Sequence, residues 1–428
     1  MKPLLIKNGR VIDPASGLDD KRDLLIEDGR IAAIDKNITR ADAEVFDAST
    51  LVVAPGFIDL HVHLREPGKE GSETIATGAR AAAAGGFTAV ACMPNTQPVN
   101  DSPLVTRYIL GQAAQAGGAR VYPVGAVTKG QAGEELAEIE SMRAAGVVAV
   151  SDDGRPVWNS RILRRAMEYC AALGIPLIDH CEDPHLAAGG AMHEGEWSLR
   201  LGLRGIPALA EELPVLRNAR LAALTGARVH IAHLSTRGAL EIVRAGKKEA
   251  VRITCEVTPH HFTLTDEACR DYDTRAKMNP PLRTAEDVAA LIEGLADGTV
   301  DAIATDHAPH SETEKQTDFE AAPFGIIGLE TALGLALERL VHSGKISLKR
   351  LVELLSMNPA RILGVEGGAL KVGAPADITI FDPERKWTYR AEQGLSKSRN
   401  TPFDARSFRG GPVATLVSGA FTFRLGDI

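Results

Sequence analysis

The sequence predicts an α/β fold: a (β/α)8 TIM-like barrel with a small β-sandwich domain formed by both chain termini. Three observations carry this. Eight short apolar runs alternate with alanine-rich amphipathic stretches through the middle of the chain. Both ends are rich in strand and turn residues instead. At 428 residues the chain exceeds an ordinary single domain yet suits one large barrel with an accessory unit. The expected division is a composite β domain from residues 1–55 plus 366–428 and a barrel from residues 56–365.

At the N-terminal end, residues 4–12 and 24–34 read as short strands, with Asn8-Gly9 and Asp28-Gly29 as tight-turn pairs within them. Residues 46–53 continue the pattern. The expected barrel strands are 57–61, 88–93, 120–126, 147–151, 176–180, 228–233, 252–257 and 302–305. Between most of them, residues 74–84, 103–116, 134–145, 160–173, 212–225, 237–245 and 285–295 carry apolar side chains at i, i+3 and i+4, the helical period. Pro103 suits a first helical turn, and Gly174, Gly226 and Gly298 suit helix ends. Near the C-terminus, residues 378–381 form a further β run, and 414–417 and 420–423 flank Ser418-Gly419 as a hairpin would.

Bulk properties narrow the function. A net charge of -8 argues against nucleic acid or an anionic membrane as partner. No run approaches the ~18 apolar residues of a membrane span, and the first residues are too short an apolar stretch for a secretory signal. The five cysteines are odd in number and form no CxxC pair, which points to a reducing cytoplasm rather than a disulfide framework.

Chemistry in such barrels gathers at the C-terminal ends of the strands. Five of the eight runs end in potential metal ligands: His61 and His63; Asp152 and Asp153; Asp179-His180; His233; and Asp306-His307. His61 and His63 share one strand face, because side chains alternate. Four histidines and two aspartates suit a pair of divalent cations, and imidazole with carboxylate favours zinc. Asp152 and Asp153 compete for one ligand role, and alternation alone does not choose between them. Singly, His180 and His233 also fit core histidines, and Asp306 a helix cap. His185, His193, His230, His260 and His342 read as structural or exposed, and Glu66 as either a residue behind the site or a turn residue. A site of this kind supports hydrolysis: cations activate water and polarise a carbonyl, and Asp306 shuttles the proton.

With these motifs the chain resembles the amidohydrolase superfamily and, within it, the bacterial type I dihydroorotases. The resemblance rests on Asp59-Leu60-His61-Val62-His63-Leu64-Arg65-Glu66-Pro67-Gly68, Met93-Pro94-Asn95-Thr96, Ser151-Asp152-Asp153-Gly154, His180-Cys181-Glu182, His233-Leu234-Ser235-Thr236, the segment Lys277 to Arg283, and Ala304-Thr305-Asp306-His307-Ala308-Pro309-His310. It implies one or two zinc ions per subunit. His61, His63 and Asp306 would bind one and His180 and His233 the other. Asp153 would bridge them where many relatives use a carbamylated lysine. Asp306 is the implied general acid/base. Arg65, Asn95 and His310 would hold a substrate carboxylate, while Asn279 and the backbone at Phe324-Gly325 would contact a pyrimidine ring. The implied reaction is reversible cyclisation of N-carbamoyl-L-aspartate to (S)-dihydroorotate and water, a step of pyrimidine synthesis. Aspartate transcarbamoylase is the partner to which the resemblance points, and a homodimer is a further expectation. The polar stretch 310–318 is expected to close over substrate.

Two other readings stand beside this one. An allantoinase or a dihydropyrimidinase/hydantoinase is a cyclic amidase on the same scaffold, and the missing bridging lysine counts against both. A dihydroorotase-like scaffold for aspartate transcarbamoylase would need no complete ligand set.

Overall fold

The computed structural model describes residues 2–426. In chain order its strands are β1 (Leu4–Asp13), β2 (Leu18–Glu27), β3 (Arg30–Asp35), β4 (Glu44–Asp47), β5 (Val52–Pro55), β6 (Phe57–Val62), β7 (Phe87–Cys92), β8 (Arg120–Gly125), β9 (Ala149–Val150), β10 (Leu177–Asp179), β11 (Met192–His193), β12 (Gly205–Ile206), β13 (Val229–Ile231), β14 (Ile253–Val257), β15 (Ala302–Ile303), β16 (Ile378–Thr388), β17 (Ser407–Val417) and β18 (Ala420–Arg424).

Strands β6, β7, β8, β9, β10, β13, β14 and β15 pair in that order, and every pair is parallel. The ring closes through a parallel bridge between Val62 and His307 and a 2.8 Å bond from His63 N to His307 O. The α/β barrel expected from the sequence is therefore present, each strand within a few residues of its apolar run. Side chains too small to crowd a barrel wall, Ala89, Ala91, Ala149, Ala232, Ala302 and Ala304, pack with Ile58, Leu60 and Ile178 in one cluster.

The helices fall between these strands. Ile75–Ala84 is capped by Thr74, and Pro103–Ala113 starts on its proline. Ser160–Leu173, Leu209–Thr225 and Ala285–Asp297 end at Gly174, Gly226 and Gly298 in the left-handed conformation that glycine tolerates. Two expected helices are shorter than their patterns: the one at Pro103 ends at Ala113, and residues 134–138 are irregular, so that helix is Ile139–Ala145. Leu136 instead bridges Thr128. Two further helices follow β15, spanning residues 332–341 and 348–363, with widened turns at Leu337–Val341 and Glu353–Met357.

The chain ends join in a second sheet, with the path β18-β17-β16-β5-β1-β2-β3 and β4 beside β1. Its core includes Ile6, Val11, Leu24, Val53, Ile378, Ile380 and Leu416. Asn8-Gly9 is not a turn. It is a bulge inside β1 with Asn8 at φ 63°, and the pairing with β2 shifts register there. No helix among the described residues is long and apolar enough to cross a membrane.

Candidate metal centre and substrate pocket

Strand ends bring all six expected ligands together. His61 Nε2 lies 3.4 Å from Asp153 Oδ1 and 3.5 Å from Asp306 Oδ1. His63 Nε2 lies 3.0 Å from Asp306 Oδ1 and 3.4 Å from Asp153 Oδ2. On the other side, His233 Nε2 is 3.4 Å and His180 Nδ1 3.7 Å from Asp153 Oδ1, and these two nitrogens are 3.0 Å apart. Asp153 thus touches all four imidazoles. All six residues are buried, and three overlapping groups of three have donor atoms within 4.8 Å of one another. Left-handed backbone at His233 (φ 33°) and Asp306 (φ 46°) turns two of these side chains off their strand ends, a strained conformation typical of functional positions.

Neighbouring bonds decide between the paired aspartates. Asp152 is turned away, accepting from Val127 N at 2.8 Å, Thr128 N at 3.2 Å and the Thr128 hydroxyl. Asp153 is left for the cluster. Burial alone would raise the Asp153 carboxyl, but His61 and His233 hold it well below the usual range. Burial likewise opposes charge on His61, yet Asp153 and Asp306 keep it well above an ordinary imidazole. His63 goes the other way, lowered by burial and by the cation of Arg65.

His61 and His63 each have a bond behind them. His63 Nδ1 donates to Asn95 Oδ1 at 2.9 Å. His61 Nδ1 donates to Glu256 Oε1 at 3.1 Å, and the other oxygen of Glu256 is 3.1 Å from His230 Nε2. Glu256 and the role of His230 escape sequence reasoning. The available signal was an acidic residue inside the apolar run of β14. Next to Asp306, His307 Nε2 lies 3.3 Å from the buried carboxylate of Glu73, which also accepts from the Ser396 hydroxyl.

Beside the cluster is a cavity of about 330 Å³ whose lining includes Arg65, Asn95, Asn279, His310, Met278 and Phe324. Arg65 is buried with φ 60°, and its Nε donates to Pro309 O at 3.0 Å. It has no carboxylate within salt-bridge distance among the described residues; Glu66 instead accepts from Ile75 N at 2.8 Å and from Tyr108. His310 Nε2 donates to Phe324 O at 2.9 Å and lies 3.4 Å from Arg65 Nη2. Burial and the nearby Arg65 push His310 down to about 3, so it is a neutral imidazole. Asn279 Nδ2 donates to Glu182 Oε2 at 2.9 Å, and its Oδ1 has no partner among the described residues. Gly325 N donates to Lys277 O at 2.9 Å and Gly325 O accepts from Asn400 Nδ2 at 3.0 Å, so with Phe324 O bonded to His310 several backbone groups at Phe324-Gly325 are already engaged. A Cβ at position 325 would sit 2.6 Å from Ala308 O, which requires glycine. The expected closing segment holds a short helix, Glu312–Lys315, and the buried Lys315 Nζ donates to Thr274 O at 2.8 Å and Pro323 O at 2.7 Å.

The remaining histidines stand outside the cluster. His185 packs edge-on against Trp158, His193 meets Arg283, His342 meets Pro383 O, and His230 is held between Thr254 and Glu256. His260 is buried with its Nε2 unpartnered among the described residues.

Comparison with known proteins adds three findings. A family model described as dihydro-orotase-like matches residues 50–239. The chain is 57% identical over 97% of its length to the dihydroorotase of Solibacter usitatus, covering 97% of it, and 56% identical over 99% of its length to that of Syntrophotalea carbinolica, covering 100% of it. In structure it is similar to an L-hydantoinase (dihydropyrimidinase) from Arthrobacter aurescens, with a TM-score of 0.89, 27% identity, and coverage of 100% of this chain and 97% of that one.

Proposed function

The chain belongs to the dihydroorotase family, and from that premise we propose that it is a metal-dependent cyclic amidohydrolase interconverting N-carbamoyl-L-aspartate and (S)-dihydroorotate in pyrimidine synthesis. One observation carries the reading: six converging metal-ligand side chains lie beside a buried guanidinium that has no carboxylate partner among the described residues. The first feature supports amide hydrolysis, the second an anionic substrate.

The donor set fits divalent metal. His61 Nε2 is buried without a hydrogen-bond partner among the described residues, and the ring nitrogens of His180 and His233 face one another. His61, His63 and Asp306 would hold one zinc, His180 and His233 a second, and Asp153 both, giving one or two per subunit. Metal bound there supplies Lewis acidity toward the amide carbonyl and an activated water.

The chain's own groups do the rest. Asp306 Oδ1 faces His63, which leaves its second oxygen for proton transfer. In ring opening that oxygen takes a proton from the attacking water and returns it to the leaving ring nitrogen; in ring closure it takes the ureido proton and gives it to the departing oxygen. Arg65 presents its fork to the substrate carboxylate. Asn95 and His310 flank that anion, and Asn279 with the Phe324-Gly325 loop flanks the ring. Met278 and Phe324 exclude water from one wall of the cavity.

The reading assigns residues 56–365 to catalysis and residues 1–55 with 366–428 to the accessory unit, in keeping with the pairing of β16 to β5. It includes a cytoplasmic location, supported by five unpaired buried cysteines. Homodimer formation has support in Leu209, Leu213 and Leu216, exposed at helical spacing. Aspartate transcarbamoylase as partner rests on the family resemblance alone. The hydantoinase likeness in structure favours a second cyclic-amidase reading, against which Arg65 and Asp153 both count.

The test is metal dependence of dihydroorotate hydrolysis. The enzyme should contain zinc, lose ring-opening activity when stripped by a chelator, and regain it with added zinc. Full activity in metal-free protein would overturn the reading.

A further inference from the structure

We infer that Glu256 is a positioning residue that fixes His61 in its metal-binding form and ties the two halves of the metal centre together. This deepens the metal reading above and rests on it.

Glu256 lies on β14 with a relative exposure of 0%. A carboxylate taken out of water costs several kcal/mol, on the order of the effective burial penalty of an ion, unless donors replace its hydration. Among the described residues no lysine or arginine approaches it within salt-bridge distance. Its donors are His61 Nδ1 at 3.1 Å, His230 Nε2 at 3.1 Å and His233 N at 3.4 Å. The first of these is a side chain of the metal cluster, and the third is the backbone of another ligand, at its left-handed position.

The consequence is a fixed tautomer. Once metal displaces the Nε2 proton, the proton that Glu256 holds on Nδ1 remains, and His61 offers a lone pair at Nε2, the atom that faces Asp153 and Asp306. The opposite tautomer would aim a proton into the cluster and leave a lone pair against a buried anion. His230, on β13, completes the arrangement. Its Nε2–H donates to Glu256, so its Nδ1 accepts from the Thr254 hydroxyl at 2.8 Å. The set Thr254, His230, Glu256, His61 therefore runs through the barrel with one donor assigned at each step. A carboxylate behind a metal-bound imidazole also raises its basicity, and removing such a partner typically weakens metal binding about 10–100-fold.

The experiment measures zinc affinity by competition with a chromogenic chelator, in wild type and Glu256→Gln, with thermal melting of both metal-free proteins as the control for folding. Glutamine keeps the shape and one acceptor but removes the charge. The expected result is an affinity about 10–100-fold weaker in a variant that still melts cooperatively. A folded variant with affinity within about twofold of wild type overturns the inference. If the variant does not fold, zinc-loaded wild type labelled with 15N-histidine decides. His61 should then show a protonated, slowly exchanging Nδ1, and an unprotonated Nδ1 overturns the inference. Failure of wild type to bind zinc at all is a different result, and it defeats the metal reading itself.

Discussion

Asn95 Oδ1 accepts from His63 Nδ1 at 2.9 Å, while the other nitrogen of the same ring lies 3.0 Å from Asp306 Oδ1. Asn95 is thus bonded through its oxygen to a proposed metal ligand, and only its amide nitrogen is left for a substrate anion. Asn95→Ala should lower zinc affinity and raise KM together. Asn95→Asp keeps the acceptor and removes the donor, so it should raise KM without weakening zinc binding. Equal loss of zinc affinity in both variants would show that the oxygen is not what matters.

Asp306→Asn preserves the shape of the side chain and removes its proton transfer. A general acid/base contributes typically ~10²–10⁴-fold, so kcat in the zinc-loaded variant should fall by at least that much. Loss of a ligand would add to it. Near-wild-type turnover with full zinc content contradicts the assignment.

Arg65→Met tests the buried cation. Its guanidinium has no protein carboxylate to lose among the described residues, so zinc content should barely change. A substrate carboxylate left without its charged partner should cost on the order of 10²-fold or more in kcat/KM for dihydroorotate. A loss of only a few fold would place the anion elsewhere.

Lys315 offers a pH signature away from the metal. Burial first, then the neighbouring Lys277, push it from 10.5 to about 7 in the folded chain. The unfolded chain keeps that proton up to the ordinary lysine value. From about pH 7 to pH 10 the unfolded state therefore binds more protons, and this group makes stability rise with pH across that window. Lys315→Met removes that rise, so the Tm advantage of wild type over the variant should grow from pH 7 to pH 9. The variant should also raise KM, because Lys315 anchors Pro323 O at the edge of the pocket. A Tm difference independent of pH would contradict the depressed lysine.

Much of this was legible in the sequence, for identifiable reasons. The barrel strands are short and apolar and lie between amphipathic helices, so two periods alternate cleanly. The His61/His63 pair follows from strand alternation alone. Other features depend on contacts between distant residues. Asp152 and Asp153 differ only in which one meets Thr128. Asn8-Gly9 has the composition of a turn, but pairing of β1 with both β2 and β4 carries the strand straight through it. The two helices at residues 332–341 and 348–363 were missed because their widened turns break the 3.6-residue period. Glu256 was missed because no local pattern marks a charge that is satisfied by β6 and β13.

The most direct test of the account compares kcat/KM of the zinc-loaded enzyme on dihydroorotate and on dihydrouracil, which has the same ring without the carboxylate. A site built around Arg65 should prefer dihydroorotate by on the order of 10²-fold or more, the scale of an unpaired buried charge. Comparable values on the two substrates would contradict the carboxylate clamp and make the enzyme a dihydropyrimidinase.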